Sequence, residues 1–265
     1  MGNHPFPLRC AVVGRGRMGA ALSARLNVDA PLGRGADASG AEVVLLAVPD
    51  AEIAAAARAV APGPLVGHLS GATTLAPLAP HESFSLHPLM TVTGPETSGG
   101  ASRSGQRRPD EAARHHGRWP DAGAVHPFQG ATAAIAGSTP RALATARALA
   151  EHLGLRAIEV ADAHRAAYHA AASIAANFLV ALESAAERLA ATTGLDRAAL
   201  APLARAALDN WAALGGERAL TGPIARGDAE TVARQRAAVA ERCPELLEAW
   251  DALASLTRDL AGVPA

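Results

Sequence analysis

Three glycines near the start of the chain constrain its fold more than any other feature. Leu8 to Val13 is a short apolar run that reads as a buried strand. Gly14-Arg15-Gly16-Arg17-Met18-Gly19 follows it and leads into a helical stretch, Ala20 to Leu26. Strand, G-x-G-x-x-G and helix, in that order, form the unit that a dinucleotide-binding α/β fold requires. Gly14 permits the tight turn, Gly16 lets backbone approach a pyrophosphate, and Gly19 lets the helix pack on the strand. The helix N-terminus offers free N–H groups and partial positive charge to phosphates. The bland alternative is a structural glycine turn with no ligand. The place of the motif in the first strand–helix unit favours the nucleotide. Gly14, Gly16, Arg17, Met18 and Gly19 are therefore candidate cofactor-binding residues.

The pattern continues as repeated βα units. Glu42 to Val48 is a continuous apolar run, expected as a parallel strand buried on both faces. Pro49-Asp50 ends it, and Asp50 is expected to cap a helix over 51–60. Further strands are expected at Leu65 to Leu69, Ser83 to Leu86, Ala131 to Ala136 and Arg156 to Val160, with a helix from Pro140 to Leu153. In an open parallel sheet, ligands bind outside the strand carboxyl ends. Val48-Pro49, Ser70-Gly71 and His87-Pro88 fall at such ends and are expected to face one crevice, with Val48 and Pro49 on the cofactor. The second strand, between Leu26 and Glu42, is weakly written. Counting about 20 residues from Gly14 arrives at Arg34, where an acidic residue would grip the ribose of NAD and an Arg suits the 2′-phosphate of NADP. NADP is the expected cofactor, with Arg17 assisting Arg34. NAD is the alternative, in which Arg34 is a solvated loop residue and Asp29 or Asp37 holds the ribose.

Length and composition fit two modest domains, expected at 1–160 and 161–265, with 265 residues, 49% hydrophobic and 18% charged. A net charge of −1 and 3% aromatics, with Tyr168 the one tyrosine, argue against a nucleic-acid partner. The chain contains no lysine, so Schiff-base chemistry and a lysine proton donor are excluded. Cys10 and Cys243 lie far apart. Cys10 reads as a small buried apolar residue, and the pair suggests a reducing, cytoplasmic setting. Residues 94–123, rich in Gly, Ser, Arg and Pro, read as an inserted flexible loop. His115, His116 and His126 lack the paired ligand spacing of a metal site. No uninterrupted apolar run is expected to span a bilayer, because the best stretch contains His169, Ser173 and Asn177.

The second half reads as helical throughout. Asp162 is expected to cap a long helix from Ala163 to about Thr192, Asp196 a helix from Arg197 to Leu214 and Asp228 a helix to about Cys243, while Pro244 opens a last one to about Leu260. His169, Ser173 and Asn177 recur every four residues on the long helix, among alanines and Ile174, Phe178, Leu179 and Val180. This face is expected to be buried. It is either a satisfied polar ridge of the core or the lining of a substrate crevice, in which Asn177 holds a carbonyl oxygen and His169 or His87 supplies a proton. Ser70 would share the oxygen, and Ser173 would line the substrate. Arg226, in the turn-rich segment Thr221-Gly222-Pro223-Ile224-Ala225-Arg226-Gly227-Asp228, is a candidate for a substrate carboxylate. Its bland alternative is a pair with Asp228.

Several of these segments together resemble one bacterial family: Tyr168-His169-Ala170-Ala171-Ala172, Asn177-Phe178-Leu179-Val180, Asn210-Trp211, Ser85-Leu86-His87-Pro88-Leu89, His68-Leu69-Ser70-Gly71-Ala72 and the Thr221–Asp228 run. Its members join a Rossmann-like domain to a helical domain of unknown function (domain of unknown function 2520). That family is similar to pyrroline-5-carboxylate reductase, ketopantoate reductase and the NADP oxidoreductases that use a deazaflavin. The resemblance implies a Rossmann-like parallel sheet followed by an all-helical domain like the C-terminal domain of 6-phosphogluconate dehydrogenase. It also implies NAD(P)-linked hydride transfer on a small substrate, and a homodimer built through the helical domains. Where wider relatives use Lys-x-x-x-Asn, this chain has Ser173 and Asn177, so either His169 takes the proton role, one turn earlier, or the chemistry differs. His87-Pro88 also echoes prephenate dehydrogenases, a second enzyme reading. A nucleotide-binding sensor or scaffold without turnover is the third.

Overall fold

The computed structural model describes residues 6–33, 35, 38–91 and 128–263. Its contacts divide the chain into two compact units, Met1–Ala172 and Ser173–Ala265. The expected boundary, 160/161, lies earlier, because the first turns of the long helix pack with the sheet.

The first unit holds six strands: β1 (Cys10–Val13), β2 (Val43–Leu46), β3 (Leu65–His68), β4 (Ser83–Leu89), β5 (Thr132–Gly137) and β6 (Arg156–Glu159), hydrogen-bonded side by side in that order. Neighbours run parallel except β4 and β5, which are antiparallel from Phe84↔Gly137 to Leu89↔Thr132. The repeated βα pattern implies parallel neighbours throughout, and the antiparallel β4–β5 pair corrects that expectation at one position. The weak second strand reduces to one bridge, Val13↔Leu32, on the side of β1 away from β2. The chain thus leaves β1 to one side and returns to the other. That makes the β1–β2 carboxyl ends a topological switch point.

β2 is buried on both faces, as its continuous apolar run predicts. Val43 and Leu45 join one core with Leu22 and Leu26 of α1 (Arg17–Leu26) and Leu149 and Leu153 of α3 (Pro140–Leu153). Val44 and Leu46 join the other, with Ile53 and Ala57 of α2 (Ile53–Ala59). Local chemistry sets the bounds of α3. The Thr139 hydroxyl accepts from the Ala142 N–H, Pro140 stands at the first helical position, and Gly154 ends the helix at φ 83°. Two expected caps are corrected. Asp50 and Asp162 open short 3₁₀ turns and cap neither helix by a side-chain bond, because stronger partners claim their carboxylates.

The long helix begins as α4 (Arg165–Ser173), widens to a π-helical turn at Ile174–Phe178 and continues as α5 (Leu179–Ala191). By length and composition alone the run Asp162–Ala191 could cross a membrane, contrary to the sequence expectation. Arg165 nevertheless ties its first turn to the sheet unit, as described below.

The second unit adds α6 (Arg197–Leu214), a single turn α7 (Gly216–Ala219), α8 (Ala229–Arg242) and α9 (Leu247–Ala261). Asp196 and Asp228 cap α6 and α8 through the N–H groups of Ala199 and Thr231. Little of this unit is buried: among the described residues, Val239, Cys243 and Ala254 are its buried apolar side chains. An apolar cavity of about 340 Å³, bordered by Leu182, Leu189, Val239 and Trp250, lies among α5, α8 and α9.

Candidate functional site

The glycine turn is sterically forced from within and open outward. Gly14 has φ 119°, and a Cβ there would stand 2.1 Å from the carbonyl oxygen of Ala47. A Cβ at Gly19 would stand 1.8 Å from the carbonyl oxygen of Gly14. A Cβ at Gly16 would meet nothing within 4 Å. Two glycines therefore pack the turn against β2 and α1, while the third leaves its outer face clear. α1 starts directly after Gly16, with no side chain on its free N–H groups and no acidic residue in its first turn. An anion is the natural partner of such an end.

A cleft of about 390 Å³ lies over this turn, between Gly14 and Gly16 on one side and Val48 and Pro49 on the other. Leu32, Gly33 and Glu52 also line it. Met18 is packed toward the core and does not line the cleft. Arg17 is exposed at the first residue of α1, also outside the cleft wall. Arg34 and Asp37, the residues set against each other for the ribose, lie outside the described residues, as do 94–123 and His115, His116 and His126. The sequence reading missed Arg15. Its guanidinium covers Gly33, 3.5 Å from where a Cβ would be, and it lines the cleft. The signal was present, since Arg15 stands inside the glycine motif.

A second cluster gathers at the carboxyl ends of β3 and β4. The Ser70 hydroxyl donates to Asp50 Oδ2 at 2.7 Å and accepts from the N–H groups of Ala72 (3.2 Å) and Thr73 (2.9 Å). Its one proton is committed to Asp50, so Ser70 shapes the turn rather than donating to a ligand. Gly71 lies beneath two imidazoles: a Cβ there would be 2.7 Å from His169 Cδ2 and 2.8 Å from His87 Cε1. The His87 and His169 rings stand edge to face, 6.1 Å apart. Sequence and structure agree in bringing Ser70-Gly71, His87 and His169 to one place.

Arg165 organises that place and was not foreseen. It is 1% exposed. Its Nη1 donates to the carbonyl of Ser70 at 3.1 Å and its Nη2 to the Ser85 hydroxyl. Its Nε donates to Asp162 Oδ1 at 3.1 Å, while Asp162 Oδ2 accepts from Leu75 N–H. A buried guanidinium is tolerable only with its donors satisfied, and here they are. Beside it, His68 is fully buried. Its Nδ1 accepts from Ser70 N–H at 3.2 Å and its Nε2 meets the Thr74 carbonyl at 3.1 Å. Burial, with the Arg165 charge, pushes His68 down to about 4. His87 is likewise pushed to about 4, by burial first, then by His169 and Arg165. Both rings are neutral near pH 7.

The remaining candidates belong to the helical unit. Ser173 ends α4 half-buried, Asn177 lies exposed in the π-helical turn, and Arg226 is exposed in the loop before α8. The buried face expected around them is corrected: Ile174, Phe178 and Val180 are 60%, 62% and 66% exposed. An apolar period shows that burial is needed, not that the same chain supplies it. Arg226 makes no close ion pair with a described residue; Asp228 caps α8, and its carboxyl is held low first by the Thr231 hydrogen bonds, with the Arg226 charge a lesser cause. Cys10 is half-buried, and burial pushes its thiol up to about 11, which leaves it unreactive near pH 7. Among the described residues, no three His, Cys, Asp or Glu side chains gather to hold a metal ion.

Comparison with known proteins agrees with this architecture. No curated protein matches the chain. A Bacteroides fragilis protein provisionally described as an NADP oxidoreductase has the same fold, at 17% identity and TM-score 0.71, over 95% of this chain and 98% of that one. A Thermotoga maritima protein is similar at 21% identity and TM-score 0.72, over 96% and 98%. The 1-pyrroline-5-carboxylate reductase of Streptococcus pyogenes is similar at 13% identity and TM-score 0.56, over 96% and 98%. These likenesses establish a Rossmann-like sheet followed by helices. Residues 131–257, from the threshold of β5 into α9, match the model of a family known as a domain of unknown function, DUF2520.

Proposed function

We propose that this protein is an NAD(P)-dependent oxidoreductase acting on the C=O or C=N group of a small carboxylate-bearing substrate. The observation that carries the reading is the glycine cradle: Gly14 and Gly19 jammed against protein backbone, Gly16 open, and the uncapped start of α1 behind it. Those features suit a pyrophosphate. When bound, a nicotinamide dinucleotide supplies or accepts the hydride. NADP is the favoured form, with Arg15 as the cation suited to a 2′-phosphate beside Gly33 in the cleft and Arg17 and Arg34 as the further candidates. Fold neighbours described as NADP-binding, among them a Plasmodium falciparum pyrroline carboxylate reductase with NADP bound, support this choice.

The chain's own contribution centres on His87 and His169 above Gly71. His169 is suited to move the proton that accompanies hydride transfer, and His87 to hold the heteroatom. Asn177, Ser173 and Arg226 are the helical unit's polar candidates for a carbonyl oxygen and a carboxylate. Loss of turnover in Asn177→Ala and Arg226→Ala, with dinucleotide affinity kept, is the mark of such roles. A second copy of the chain is the proposed partner, covering the apolar helical surface.

Fluorescence titration with NADPH and NADH tests the cofactor directly. Gly16 has φ −72° and open space around it, so Gly16→Val preserves the fold. It is expected to weaken dinucleotide binding by at least about tenfold while the protein stays folded, with at most a small fall in melting temperature from the poorer cap. Equal affinity in native and variant protein overturns the assignment of the cleft.

A further inference from the structure

We propose that Tyr168 is a positioning residue for His87, fixing its ring as the Nε2–H tautomer so that His87 serves as a hydrogen-bond donor to substrate and not as the proton source. The inference rests on the reading of His87 as a substrate-facing residue. The Tyr168 oxygen lies 2.8 Å from His87 Nδ1, across 81 residues of sequence. The two rings cross at 89° with centroids 5.6 Å apart, so the hydroxyl meets Nδ1 while the ring faces are packed. Gly71 closes the Cε1 side, and the His169 ring stands at 71° nearby. The imidazole is held from three directions.

The hydrogen-bond direction follows from the available partners. A phenol has one proton to give, and among the described residues His87 Nδ1 is the acceptor placed to take it. Burial raises the Tyr168 hydroxyl above its usual range, so the proton stays on the phenol. Nδ1 then accepts, and the ring's own proton belongs on Nε2. That nitrogen has no hydrogen-bond partner among the described residues. On the reading of His87 as substrate-facing, that hydrogen is the one offered to the substrate. The charged groups acting on His87 are Arg165 and Asp50, with His169 beside it. Burial, His169 and Arg165 together outweigh Asp50 and keep the ring neutral. A neutral imidazole with an ordered N–H can polarise a carbonyl or imine but has no surplus proton to deliver.

Long-range ¹⁵N–¹H NMR on the full-length protein with labelled histidine reads the tautomer without any substrate. The His87 signals are assigned by their loss in His87→Gln. The expected native spectrum at pH 7 shows His87 with an unprotonated Nδ1 and a protonated Nε2. In Tyr168→Phe the lock is removed, and a mixture of tautomers is expected. A native His87 protonated on Nδ1, or a tautomer unmoved in a folded Tyr168→Phe, overturns the proposal. Should that variant fail to fold, the native spectrum alone decides. NADPH titration of the same sample keeps the two readings apart: absent binding counts against the oxidoreductase, whatever tautomer His87 adopts.

Discussion

In the sheet unit Arg165 is 1% exposed, and its guanidinium donates to Ser70, Ser85 and Asp162. In the helical unit Trp211 and Leu203 are 60% and 70% exposed. One region buries a charge and satisfies it. The other leaves large apolar side chains in water and joins its helices with surface ion pairs, such as Arg236–Asp251 between α8 and α9 and Arg197–Glu187 between α6 and α5. Buried polar networks are costly unless complete, so the sheet unit's network marks a place whose geometry matters. Exposed apolar surface on this scale marks a layer that needs covering. The first unit satisfies its polar groups internally, whereas the second leaves Phe178, Leu203 and Trp211 largely exposed.

The sharpest way to break that contrast is to spoil the proposed interface between copies. Phe178→Glu with Trp211→Glu is expected to halve the mass seen by light scattering at micromolar protein. A native protein that is already monomeric would remove the second copy from the account. In the sheet unit, Arg165→Met leaves the Ser70 carbonyl, the Ser85 hydroxyl and Asp162 without their donor. Breaking one side of a buried charged network costs about 3–5 kcal/mol, and the melting temperature should fall by roughly 10 °C. An unchanged melting temperature would show the network to be ornamental.

Acid sharpens the comparison next. His68 and His87 hold folded pKa values of about 4, below the ordinary 6.5. Between those values the unfolded chain binds more protons, so stability falls as pH drops from about 6.5 and is fully lost from these groups below about 4. Each contributes of order 3 kcal/mol at most. None of the ten histidines lies beyond residue 169, so the helical unit has no histidine to titrate there. Denaturant melts at pH 7 and pH 4.5 should show the loss in sheet-unit signals, and parallel losses in both units would blunt the contrast. The smallest effect is expected at the exposed pair on α8 and α9: Arg236→Gln should leave the melting temperature within experimental scatter.

Local chemistry made much of this fold legible in advance. The Val43–Leu46 run, the glycine turn, Thr139-Pro140 and the caps at Asp196 and Asp228 each act within a few residues, and they stand where the sequence puts them. Asp50 and Asp162 read equally well as caps, but side chains and backbone elsewhere took their carboxylates: Ser70 for one, and for the other the distant Leu75 together with Arg165, one turn on. The Tyr168–His87 bond and the burial of Arg165 were invisible for the same reason, since each depends on pairing across about 80 or more residues. The gathering of Ser70-Gly71 and His87 was legible because it needs only the rule that parallel strand ends share an edge. Arg15 was legible and passed over, hidden inside the motif that drew attention to its glycines.

The antiparallel pairing of β4 with β5 gives the chain a freedom that its parallel pairs lack. Leu89 pairs with Thr132, so the polypeptide departs from and re-enters the sheet at adjacent positions. A parallel neighbour demands a crossover long enough to span the sheet, whereas a hairpin-like exit asks only that its ends meet. Closing a flexible connector costs about 0.6 kcal/mol for each doubling of its length. Because Leu89 and Thr132 are already paired, chain inserted between these two strands need not stretch across the sheet to keep them in register. The junction between β4 and β5 is where a fluorescent reporter or an affinity tag could be spliced into the chain at the least expense to the sheet.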